Sequence, residues 1–275
     1  MTGGTGQAGN INRNLARACN EFGLGMGVGS CRVLLEDERD LPDFDLRHIV
    51  GDASPFYANL GIAQLEQVVE EKAVDKISRL IDLLKADGII IHINPFQEAF
   101  QPEGEVIKRP PIDTLQEFLE TTNARVIVKE VGQGMGPESI SQLLHLPIEA
   151  IEFGALGGTN FTLLELLRSQ EKELKAYEAF GKIGHTAEEM TEMINEVVSK
   201  SNTYKCKQII ISGGITHILD GYHLQQKSKL TAVVGMGSTL LRAASGEYEE
   251  LRSYLQQVER SYQLASNYLT IRNNA

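Results

Sequence analysis

The chain has 275 residues, enough for one large domain or two small ones, and its 26 Lys and Arg against 37 Asp and Glu leave a formal net charge of −11. No basic cluster with interleaved aromatics offsets that balance, which argues against a nucleic-acid partner. With 42% hydrophobic residues, 26 Gly and only 8 Pro, there is apolar mass for a packed core, and wholesale disorder is excluded.

The longest apolar runs are a few residues, as at 89–91, far below the roughly 20 that span a bilayer, so no membrane partner is expected. The Met-Thr-Gly-Gly start has no charged region, apolar stretch and cleavage site of an export signal. Cys19, Cys31 and Cys206 are an odd number with no CxxC pairing. They fit reduced thiols, argue against zinc, and point to a cytoplasmic location.

In chain order, short β-branched runs ending in glycine or a small polar residue alternate with amphipathic stretches, the pattern of parallel βαβ units. Strands are predicted at 25–30 (GMGVGS), 56–61 (FYANLG), 88–94 (GIIIHIN), 125–132 (RVIVKEVG), 150–154 (AIEFG), 208–213 (QIIISG) and 231–235 (TAVVG). Helices are predicted over 11–22, 62–86, 114–121, 137–145, 186–200 and 247–268. Thr186 with Glu189 three residues on has capping-box spacing. Seven alternating strands are one short of a (β/α)8 barrel, so the expected fold is an α/β TIM barrel lacking its first strand, in a single domain over 1–275. MTGGTGQAGN reads as the loop after that strand. An open doubly wound sheet is the competing architecture.

Barrel ligands bind at the C-terminal ends of strands, and the polar residues concentrate there. Alternation along 88–94 places His92 and Asn94 on one face, and Gln97 and Glu98 follow in the next loop. A structural imidazole is the plain reading of His92 alone; four polar groups within seven residues suggest a site. Lys129 shares a face with Ile127 and needs an anionic partner, either Glu152 on the next strand or an anionic ligand. Gly213-Gly214 and Gly235-Met236-Gly237-Ser238 each follow a strand and precede a helix-like stretch, where backbone N–H groups approach phosphate. HExxH, GxxxxGK[ST], GxSxG and a first-strand GxGxxG are all missing, which disfavours a zinc protease, P-loop NTPase, α/β-hydrolase and Rossmann dehydrogenase.

Together the motifs resemble the type 2 isopentenyl diphosphate isomerases. The pieces are MTGG (1–4), NLARA (14–18), VGSCR (28–32), ANLG (58–61), HINPFQEAFQPEGE (92–105), VIVKEVGQGM (126–135), GALGGTNF (154–161), SGGI (212–215) and GMGSTLLRAA (235–244). The resemblance implies a flavin-dependent barrel that interconverts isopentenyl and dimethylallyl diphosphate by a 1,3-allylic proton shift. It implies reduced FMN, Mg²⁺, NADPH as the flavin reductant, and a homo-oligomer. Carried over by motif, FMN falls to Met1, Thr2, Gly3, Ser30, Asn59, Lys129, Thr159, Gly213, Gly214, Ile215, Gly237 and Ser238. Arg32, His92, Asn94 and Gln97 fall to substrate, Glu98 to the metal, and Gln97, Glu165 and Lys129 to catalysis. The family carries a longer N-terminal segment with an Arg-Lys-x-x-His-like diphosphate clamp and the first strand, so a longer natural chain is expected. Two other classes are an FMN-binding barrel without isomerase activity and an FMN oxidoreductase of the 2-hydroxy-acid-oxidase kind. The HxNxxQE motif counts against the latter.

Overall fold

The computed structural model describes residues 8–102, 104–169 and 171–272. Seven strands lie in one sheet in chain order, namely β1 (Met26–Gly27), β2 (Phe56–Gly61), β3 (Gly88–Ile93), β4 (Val126–Glu130), β5 (Ala150–Glu152), β6 (Gln208–Ile211) and β7 (Thr231–Val234). The α/β alternation is as the sequence predicts. A doubly wound sheet reverses its strand order partway across, and this order does not reverse. Two compact units divide the chain, with their boundary passing through β3 and β4.

The first unit takes the chain up to His92, with Thr114–Ile127 and Ser238–Glu259. Here β1, β2 and β3 pair in parallel, with Met26 opposite Phe56 and Gly61 opposite His92. Ile89 N–H donates to the Arg125 carbonyl at 2.9 Å, starting the pairing with β4. All six residues of β2 are buried, as suits a strand covered on both faces. At the N-terminal end of the strands, the buried Arg47 guanidinium donates to Lys85 O, Gly51 O and Ser54 O and pairs with Asp87 at 2.8 Å. Asp87 in turn accepts from Phe56 N–H at 2.7 Å, pinning the start of β2. Ala18, Ala244, Tyr248, Leu251 and Leu255 form a second core, where helix Ala8–Phe22 meets Ser238–Ala244 and the start of Tyr248–Tyr268.

The second unit takes Ile93–Asp113, Val128–Gly237 and the chain from Arg260. Gly132 N–H donates to Gly154 O at 2.7 Å beside β4 and β5, and β5, β6 and β7 pair in parallel. Ile140, Leu144, Ile151, Phe153, Met190, Ile194 and Ile211 fill its core. The capping box at Thr186 forms as predicted.

Three elements differ from the sequence prediction. The 25–30 strand shrinks to two residues. The predicted 62–86 helix is two, Ile62–Glu70 and Asp75–Leu84, turned at Lys72, whose φ is +54°. Buried Val69 and Ile77 are eight residues apart, about 80° out of phase in an unbroken helix, so the turn brings the second apolar stripe back to the core. Gln97 and Glu98 lie in a short helix, Pro95–Phe100, rather than in a loop. Pro95 is pre-organised for its first turn.

Candidate functional site

In the first unit, the C-terminal ends of β2 and β3 bring Asn59 and His92 together. Asn59 Nδ2 donates to Val28 O at 2.9 Å, which fixes the amide and leaves Oδ1 to accept from His92 Nδ1 at 2.8 Å. That bond sets the imidazole tautomer and turns Nε2 toward Gly61, where an added Cβ would lie 3.0 Å from it. The Gln64 carboxamide packs over the same glycine. It is buried, and its Nε2 has no hydrogen-bond partner among the described residues. Sequence reasoning passed over Gln64; the signal available was a polar residue on the buried face of an otherwise apolar turn.

Ser30 is half-buried and Arg32 exposed. Between them Cys31 N–H donates to Asn59 O at 2.7 Å, tying this loop to β2. Burial pushes the Cys31 thiol up to about 12, so it is no thiolate nucleophile. Ser238 opens helix Ser238–Ala244 and is exposed. Met1, Thr2 and Gly3 lie outside the described residues.

In the second unit, Asn94, Gln97 and Glu98 form a buried polar cluster. Asn94 Nδ2 donates to Glu98 Oε1 at 2.9 Å and to Gln97 Oε1 at 3.2 Å, while Glu98 Oε2 accepts from Glu105 N–H at 2.8 Å. Gly104 allows that return loop, because a Cβ there would collide with the Glu98 carbonyl. Asn94 Oδ1 is buried without a partner among the described residues. An unpaired buried acceptor costs ~1–3 kcal/mol, and this one belongs to the same cluster as the Glu98 carboxylate and the Gln97 carboxamide oxygen, both of which accept from Asn94 Nδ2. These hard oxygen donors fit Mg²⁺, which takes one or two carboxylates and completes its shell with phosphate and water. Among the described residues no group of three His, Cys, Asp or Glu stands ready as a closed metal cage.

Lys129 is half-buried at the end of β4. Its ammonium donates to the Glu130 carbonyl at 3.0 Å, and no ion pair with Glu152 forms among the described residues. The Lys129–Glu152 pairing that the sequence allowed is thus not made. Glu152 instead accepts from the Ser212 hydroxyl at 3.2 Å, and that oxygen accepts from Gly154 N–H at 3.0 Å. Burial pushes the Glu152 carboxyl above its ordinary range, and the Lys129 charge and Ser212 hydrogen bond only partly oppose it. A lysine held by one carbonyl keeps donors for an anionic ligand.

A second group the sequence reading missed is Glu130. Its Oε2 accepts three backbone N–H bonds, from Gly132 at 2.7 Å, Gln133 at 2.6 Å and Gly134 at 2.8 Å. Burial nevertheless raises its carboxyl above the usual range. The signal was a carboxylate separated by a single valine, Val131, from a G-x-G turn. Gln133 extends this hub, accepting from the Thr162 hydroxyl at 2.5 Å and donating to the Phe180 and Ile183 carbonyls at 2.8 and 2.6 Å.

Gly213 and Gly214 have φ of +88° and +71°, and a Cβ on Gly213 would collide with Ala155. Their glycine identity is therefore demanded first by the chain's own packing. That packing sets the Gly213–Gly214 turn against Gly157 and Gly158, next to the exposed Thr159, while Ile215 is half-buried beside it. Gly237 has open space on its Cβ side, room that a ligand can use. Glu165 is buried on helix Phe161–Arg168 and pairs with Arg168 at 2.6 Å.

No family model matches the chain. It is 32% identical over 245 residues to an isopentenyl-diphosphate delta-isomerase of Rickettsia akari (strain Hartford), covering 89% of this chain and 68% of that one. To the Rickettsia prowazekii (strain Madrid E) protein of the same name it is 32% identical over 264 residues, covering 94% and 74%. To that of a Synechococcus it is 34% identical over 260 residues, covering 93% and 70%. Among solved structures, KGPDC from Streptococcus mutans overlaps at a TM-score of 0.42 with 12% identity over 92% of this chain and 93% of that chain, too slight a likeness to inform the fold.

Proposed function

The chain belongs to the isopentenyl-diphosphate delta-isomerase family, and from that premise we propose that it interconverts isopentenyl and dimethylallyl diphosphate by the flavin-dependent, type 2 route that its motifs resemble. The observation that carries this reading is the buried Asn94–Gln97–Glu98 cluster with its unpaired carboxamide oxygen. A metal ion carrying a diphosphate would satisfy that oxygen, whereas hydride transfer from a hydroxy acid has no use for such a group.

We read the fold as a (β/α)8-type barrel. Parallel strands in chain order, joined by crossovers of one hand, put their helices on one side, so closure is what buries the other face. Asn59, His92, Lys129 and Glu152 each stand at or near the C-terminal end of their own strand, where such folds bind ligands.

When bound, reduced FMN supplies a proton-exchanging, electron-rich face for the allyl unit and Mg²⁺ a counter-charge for the diphosphate, NADPH serving to reduce the flavin. Lys129 would hold the anionic edge of the flavin, where a fixed cation away from water acts with little screening. Ser30, Asn59, Thr159, the Gly213–Gly214–Ile215 turn, Gly237 and Ser238 would line the rest of the flavin site, together with Met1, Thr2 and Gly3. Glu98 would bind the metal, with Asn94 Oδ1 beside it. The exposed Arg32 guanidinium would meet the diphosphate. His92, fixed by Asn59, and Gln97, both donor and acceptor, would orient the reacting carbons. Glu165, buried and paired with Arg168, would be the third catalytic side chain, and positioned proton transfer contributes about 10²–10⁴ in rate.

The substrate would be the one partner required besides further copies of the chain, and the cytoplasm its place of action. No helix among the described residues is long and apolar enough to cross a membrane. The test is an anaerobic assay of isopentenyl diphosphate with FMN, NADPH and Mg²⁺. Dimethylallyl diphosphate should form and should vanish with a chelator or with Glu98→Ala. A yellow protein that forms no product under these conditions overturns the proposal.

A further inference from the structure

We propose that an aromatic clasp, Phe96 and Phe100 against Tyr177 and Phe180, positions Gln97 and Glu98 for magnesium diphosphate, an inference that rests on the reading of the site just given. The carrying helix, Pro95–Phe100, has only six residues, and a helix that short does not hold its shape without tertiary support. Phe96 and Phe100 are one turn apart and share a face, with Glu98 on the opposite side. Their rings meet Phe180 edge-on, at centroid distances of 5.4 Å from Phe96 and 5.6 Å from Phe100. Tyr177 lies 5.3 Å from Phe100, closing the group.

The far side of the clasp is itself anchored. Gln133 Nε2 donates to the carbonyls of Phe180 and Ile183, and Asn160 Nδ2 donates to Gly181 O at 2.5 Å. Gln133 N–H bonds the Glu130 carboxylate, one residue from Lys129. A continuous set of contacts therefore runs from the turn that follows the lysine, through Gln133 and Phe180, to the helix bearing the carboxylate. Tyr177 and Phe180 are 43% and 37% exposed, so truncating a clasp ring removes orientation rather than a piece of the buried core. These rings are positioning residues that act through Gln97 and Glu98.

The experiment titrates Mg²⁺ with inorganic diphosphate into the full-length chain by calorimetry, beside flavin affinity by fluorescence quenching and the melting temperature. Phe100→Ala and Phe180→Ala should each weaken magnesium diphosphate binding about tenfold, with flavin affinity within about twofold of the unsubstituted chain. The double variant should be little worse than either, because the rings act as one unit. Phe180→Leu, which keeps apolar bulk, should recover most of the affinity and guards against a misfolded alanine variant. Unchanged magnesium diphosphate affinity in the alanine variants overturns the clasp while leaving the site reading intact. Parallel loss of flavin affinity, diphosphate affinity and melting temperature also overturns it, assigning the rings to folding alone. Failure of the unsubstituted chain to bind magnesium diphosphate defeats the site reading and the clasp with it.

Discussion

Removing the acceptor of the Glu130 turn gives a sharp test of how the end of β4 is built. In Glu130→Ala the N–H groups of Gly132, Gln133 and Gly134 lose their shared oxygen. Gly132 N–H keeps the Gly154 carbonyl at 2.7 Å and half-buried Gly134 keeps the same carbonyl at 3.3 Å, so of the three donors the buried Gln133 N–H is the one left stranded. At about 1–3 kcal/mol for one stranded buried donor, the loss is roughly 2 kcal/mol. Glu130→Gln keeps an acceptor at the same place and sheds the burial cost that raises the carboxyl's pKa, so it should stay within about 1 kcal/mol of the unsubstituted chain at neutral pH. Urea denaturation followed by circular dichroism measures both variants. If the glutamine variant is as damaged as the alanine one, the negative charge rather than the acceptor holds the turn, and the reasoning fails. An alanine variant less than about 1 kcal/mol down refutes it from the other side.

Gly104→Ala forces the return loop off the Glu98 carbonyl, so magnesium dependence should shift to higher concentration with the fold intact by circular dichroism; an unchanged magnesium titration contradicts this. Glu152 has a raised folded pKa, so its native state holds the proton longer than the unfolded chain. The cost is absent below the unfolded value near about 4.3 and grows as pH rises toward the folded value. Glu152→Gln should therefore gain stability over the unsubstituted chain with rising pH in urea melts from pH 4 to 8, and a widening deficit contradicts it. Thr186→Ala deletes the capping box and should cost about 1 kcal/mol by the same melts, whereas Thr186→Ser should cost little.

How legible all this was in the sequence depended on how local the cause is. The 88–94 strand is dominated by isoleucine, and β3 occupies nearly that range. The Thr186 cap is a contact between residues three apart, and it forms as read. The turn at Lys72 has no glycine or proline to announce it, because it is imposed by two apolar stripes reaching for one core. Helix Phe161–Arg168 was legible and overlooked: Asn160 caps it by accepting from Leu163 N–H. Strand positions placed His92 and Lys129 near the C-terminal ends of β3 and β4, but their partners lay beyond the reach of alternation. Asn59 fixes His92 from 33 positions away, and Lys129 turns to a backbone carbonyl rather than to the carboxylate on the next strand. The Glu130 and Gln133 hub joins segments up to 50 residues apart, and only the folded chain reveals it.

On the proposed route the flavin is needed but not consumed while the allylic proton moves. The direct measurement is the amount of dimethylallyl diphosphate formed per NADPH oxidised, under anaerobic conditions with Mg²⁺ and FMN. Many product molecules should form for each NADPH. One product per NADPH, or NADPH consumption without product, would contradict it.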